Sequence, residues 1–112
     1  HLLAVAPIAA TLFVAEGFVA DLPQEEENER FAEVLREGLA QLAARGISAE
    51  GHLVTGDAVR EISRMAAELQ VELIVVGHTH HNSRLERWWK GSVGASLVEE
   101  APCSILVAVQ RT

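Results

Sequence analysis

The sequence predicts an α/β domain, an open parallel sheet with helices on both of its faces. Short, near-continuously apolar runs at Leu2 to Ala6, Leu73 to Val76 and Ser104 to Val109 read as strands buried on both sides. Between them lie stretches with apolar residues at helical spacing, Phe31 to Ala43 and Val59 to Leu69. Alternation of strand and helix brings the strands parallel, joined by right-handed crossovers. A chain of 112 residues supports one domain, residues 1–112, with one modest core.

The first strand, Leu2 to Ala6, is ended by Pro7. Ile8 to Leu22 is apolar without a clean period and is expected to be a connection with some helix. Gln24 to Arg45 is the strongest helix, with Phe31, Val34, Leu35, Leu39, Leu42 and Ala43 on one face. Pro23 precedes it, Glu25, Glu26, Glu27 and Glu29 suit its positive end, and Gly46 stops it. Ile47 to Val54 reads as a weaker strand interrupted by Gly51. Asp57 is the expected N-cap of a second helix whose buried face is Val59, Ile62, Ala66 and Leu69, with Met65 alongside. Gln70 and Val71 close that helix before the strand Leu73 to Val76. A polar loop leaves at Gly77 and returns at Gly91. Ser92 then caps a short helix carrying Val93, Leu97 and Val98, and Pro102 stops it before the last strand.

Composition narrows the function. A net charge of −7 disfavours nucleic acid, whose affinity comes mostly from Lys and Arg meeting phosphates. Three of the nine basic residues, Arg84, Arg87 and Lys90, nonetheless share the loop after Gly77. A positive loop on an acidic protein suits a small anion. Leu2 to Ala15 lacks a basic leader and contains Pro7, so it is read as strand and connection, with no membrane segment. The single cysteine, Cys103, cannot close an internal disulfide and points to a reducing, cytoplasmic setting. Cys103 itself is read as a small packing residue.

The chemistry-bearing residues gather between Gly77 and Val93. Gly91-Ser92 at a helix start offers unpaired N–H donors and a hydroxyl, which fits a phosphate and equally an ordinary cap. His78, His80 and His81 raise metal binding, with His52 as a fourth donor only where the fold brings it near. The cluster holds no Cys or carboxylate, short of a closed site. Of Trp88 and Trp89, one is expected packed and one exposed. Ser92 has no identifiable base and no triad spacing exists, so the chain is not read as an enzyme.

The landmarks Leu3-Ala4-Val5-Ala6-Pro7, Gly56-Asp57, Ile74-Val75-Val76-Gly77, Gly91-Ser92-Val93 and Ala101-Pro102-Cys103-Ser104-Ile105-Leu106-Val107 resemble the universal stress protein family across nearly the whole chain. The resemblance implies a Rossmann-like, adenine nucleotide alpha-hydrolase-like sheet of order 3-2-1-4-5. The strands here match its second to fifth, leaving its first strand and helix without a counterpart. Without the central strand, its two neighbours would stand about 10 Å apart across unpaired N–H and C=O groups. The expectation is that the polypeptide continues upstream of His1.

The resemblance also implies a stress-response signalling module holding ATP or AMP, with magnesium as a possible companion. Val5 and Val76 would line the adenine-ribose side, and Gly77, Gly91, Ser92 and Val93 the phosphate side. The family's motif is Gly, two residues, Gly, nine residues, then Gly-Ser or Gly-Thr. Here His80 stands at the middle glycine, and ten residues separate it from Gly91. A side chain at that point obstructs close backbone approach to phosphate. The family also has members that lack the complete motif and do not bind nucleotide, so an interaction module remains the alternative. The resemblance further implies a homodimer through the edge strand Ser104 to Val109.

Overall fold

The computed structural model describes residues 1–8, 11–13, 19–21, 23–79 and 92–110. The described residues divide into two compact units, His1–Ala58 and Val59–Thr112.

In the first unit, β1 (Leu2–Ala6) pairs in parallel with β4 (Gly51–Thr55). The register sets Leu2 against Gly51 and Leu3 against His52. Helix α1 (Gln24–Ala44) packs on this pair. Its stripe is Phe31, Leu35, Leu39 and Leu42, all half-buried, while Val34 and Ala43, expected on the same face, are exposed. At 3.6 residues per turn these two lie roughly 80–100° from the centre of the stripe. The segment from Ile8 to Leu22 departs from the expected connection with some helix. It contains two short antiparallel strands, β2 (Thr11–Phe13) and β3 (Val19–Asp21). Thr, Phe and Val favour extended backbone, and no helical period opposes it.

The ends of α1 follow from local chemistry. Glu25, Glu26 and Glu27 occupy its first turn, complementing the dipole. Gln24 Nε2 donates to the Pro7 carbonyl at 3.0 Å and to Asn28 Oδ1 at 2.9 Å. Thr55 Oγ1 donates to the same Asn28 oxygen at 3.2 Å. The carboxyl ends of β1 and β4 are thereby tied to the first turns of the helix. At the other end, Gly46 lies at φ 78°. Its N–H reaches the Ala43 carbonyl at 3.0 Å, and the Ile47 N–H reaches Leu42 at 2.9 Å. This is a Schellman cap, with glycine in the left-handed position. Because Ile47 serves the cap, β4 begins at Gly51 rather than at Ile47 as the apolar alternation predicts.

In the second unit, α2 (Ala58–Glu68) buries Val59, Met65 and Ala66, with Ile62 and Leu69 half-buried. It ends in a second Schellman cap. Gln70, at φ 53°, donates to Ala67 at 3.2 Å, and Val71 donates to Ala66 at 3.1 Å. Strand β5 (Leu73–Thr79) then pairs in parallel with β6 (Ser104–Gln110). The pairing continues beyond the apolar run, setting Gly77 opposite Ala108 and Thr79 opposite Gln110. Backbone hydrogen bonds carry it there, and these do not need apolar side chains. Helix α3 (Ser92–Glu100) contributes Leu97, which is fully buried, and Ile74 is buried in β5. Among the described residues, no helix is long and apolar enough to cross a membrane.

Candidate functional site

The residues expected to bind nucleotide fall in both units. Val5 is half-buried in β1 and pairs with Val54. Val76, half-buried, pairs with Val107 near the carboxyl end of β5, and exposed Gly77 follows. Gly77 lies inside the strand, which continues through Thr79 rather than ending at the glycine. A β-carbon at Gly77 would meet nothing within 4 Å among the described residues. Ser92 and Val93 are the first described residues of α3, with Ser92 already in the helix. His80, His81, Gly91, Arg84, Arg87, Lys90, Trp88 and Trp89 lie outside the described residues, and His78 is placed by its backbone in β5. Cys103 is half-buried and unpaired by disulfide.

A second cluster stands at the amino-terminal edge of the β1–β4 pair. His1 precedes β1, and Glu50 and His52 flank Gly51 at the start of β4. Parallel pairing places His1 one step before the Leu2–Gly51 match, and the Leu2 N–H donates to the Glu50 carbonyl at 2.8 Å. The two-residue period sets Glu50 and His52 on one face of the strand. Helix α1 packs on the other face, because a β-carbon on Gly51 would meet Leu39 and Leu35. His1 Nδ1 lies 3.0 Å from His52 Nε2 and 3.6 Å from Glu50 Oε2. The imidazole centroids are 5.2 Å apart at 42°. One donor atom from each of the three residues falls within 4.8 Å of the others.

The sequence raised His52 only as an addition to the loop imidazoles. Among the described residues its neighbours are His1 and Glu50. The available signal was the pattern Glu50-Gly51-His52, alternating at a strand start, together with a histidine immediately ahead of another strand. Only the register between the two strands joins them.

The universal stress protein family model matches residues 1–109. A Staphylococcus haemolyticus (strain JCSC1435) protein, named as a candidate universal stress protein, is 35% identical over 92 residues. That match covers 80% of this chain and 55% of the relative, so the chain spans about half the length of the curated relative it matches. With the mixed α/β architecture and a family match along nearly its whole length, the chain belongs to the universal stress protein family.

Proposed function

We propose that the chain is a stress-response module that acts through protein contact rather than by holding an adenine nucleotide. The observation that supports this reading is strand β6, which among the described residues pairs with β5 alone. Leu106, Val107 and Val109 are 52%, 38% and 51% exposed along it. An apolar strand with one open edge readily accepts another strand, and two identical edges related by a two-fold axis make a homodimer. The nucleotide motif is weakened at the point of phosphate approach, where His80 replaces glycine and the spacing to Gly91 is longer.

The pairs β1–β4 and β5–β6 are the neighbours that a 3-2-1-4-5 order retains without its first strand, which supports that order. A single cysteine supports a cytoplasmic setting. No catalytic role is assigned, in keeping with a family of signalling modules.

Light scattering tests the association. Wild type is expected as a dimer and Val107→Lys as a folded monomer; a wild-type monomer, or a variant dimer of undiminished stability, refutes it. ATP or AMP binding is the second reading, favoured by the start of α3 at Ser92, where helix N–H groups suit a phosphate. Calorimetry with ATP and magnesium decides it: saturable heat restores nucleotide as the ligand, and none is expected here.

A further inference from the structure

We propose that His1, Glu50 and His52 form a binding site for a divalent first-row transition-metal ion of the zinc type. The site goes beyond the interaction reading and does not depend on it. It also differs from the loop-histidine site that the sequence raised.

The donor set comes first. Two imidazoles and one carboxylate suit zinc, nickel, cobalt or copper, whereas calcium and magnesium take oxygen. The spacing agrees with this. Four-coordinate zinc binds nitrogen and oxygen at about 2.0–2.2 Å, which sets tetrahedral donors roughly 3.3–3.5 Å apart. The separations from His1 Nδ1, 3.0 Å to His52 Nε2 and 3.6 Å to Glu50 Oε2, bracket that range, and all three donor atoms lie within 4.8 Å of one another. Small side-chain rotations would place an ion among the three atoms.

Protonation is compatible as well. Two ring nitrogens at 3.0 Å share one hydrogen between them, so at least one of the facing nitrogens carries a lone pair. On metal binding both facing nitrogens must offer lone pairs. The donating ring therefore moves its proton to its other nitrogen, and no covalent bond to carbon changes.

The scaffold is ordered by its backbone. Glu50 and His52 lie on either side of a residue paired in β4, and the Leu2 N–H bond to the Glu50 carbonyl holds the two strand starts together. Three protein donors leave one position of a tetrahedral ion for water or an outside ligand. The side chains of His1 and Glu50 are 39% and 72% exposed, so an ion enters from solvent without any opening of the fold.

The test is calorimetric titration of zinc chloride into the chain in a weakly coordinating buffer. One ion per chain is expected, with affinity falling by roughly tenfold or more in His52→Gln and in Glu50→Gln. Binding is expected to survive in a His78→Gln/His80→Gln/His81→Gln variant. It should also survive in a version with residues added ahead of His1, which removes the α-amine as a ligand. Far-UV circular dichroism checks that each variant is folded. Zinc-dependent shifts of the His1 and His52 imidazole resonances in wild type give a readout that needs no variant. The proposal is overturned by absence of saturable binding, by unchanged affinity in His52→Gln, by loss in the loop variant, or by dependence on a free amine.

Discussion

The δ-methyl Cδ2 of Leu2 lies 2.7 Å from where a β-carbon on Gly38 would stand, so helix α1 meets β1 at a point that leaves no room for a side chain. The obstacle is the far end of a flexible residue. Leu2 also borders an open pocket with Gly38, Gln41, Leu42 and Arg45, into which its methyl can turn. Gly38→Ala gains about 1 kcal/mol of helix propensity and spends a similar amount on moving Leu2. Its stability by chemical denaturation is expected within about 1 kcal/mol of wild type, whereas Gly38→Val should lose roughly 1–3 kcal/mol. Gly51 faces the same helix from β4, with Leu39 Cδ1 at 2.7 Å and two Leu35 carbons at 3.5 Å. The close obstacle is again the far end of a flexible leucine and the Leu35 carbons are at ordinary contact distance, so Gly51→Ala is likewise expected within about 1 kcal/mol of wild type.

The two helix caps use the same hydrogen bonds with different residues in the left-handed position. Among the described residues nothing lies within 4 Å of a notional β-carbon on Gly46, so Gly46→Ala tests backbone strain with little contribution from contacts. A loss of roughly 1–2 kcal/mol is expected. Gln70 already bears that strain at φ 53°. Gln70→Gly relieves it while loosening the unfolded chain, for a net gain of about 0.5–1 kcal/mol. Thermal melts of both variants should move in opposite directions, and a common direction would contradict the shared cap.

Ser63 carries the opposite kind of defect. Its hydroxyl is buried on α2 with no hydrogen-bond partner among the described residues, a position that penalises a polar atom. Ser63→Ala removes the unsatisfied group and raises helix propensity, and a stabilisation of about 1 kcal/mol is expected by urea denaturation. A destabilised Ser63→Ala would show that the hydroxyl is satisfied in solution.

The strands and helices were legible from residues that act locally. Leu2 to Ala6 and Ser104 to Val109 were legible as strands from their apolar runs, and α1 came within one residue of its predicted span; burial on both sides was not met in β6, where Leu106, Val107 and Val109 are exposed. Segments governed by partners were harder to read. Thr11–Phe13 and Val19–Asp21 carry too few residues for a period, and each is a strand only because the other pairs with it. Val34 satisfied the helical spacing, yet it lies outside the stripe that meets the sheet.

By itself the sequence determined the α/β class, the family, and the broken glycine spacing at His80, since periodicity, turn chemistry and motif spacing are written along the chain. Tertiary structure decided how far β5 runs past Gly77, which face of α1 packs, and that His1 meets Glu50 and His52. These depend on strand register and on contacts between residues up to 51 apart in the chain. No local pattern encodes a register, because a strand's alternation is the same whichever partner residue it faces.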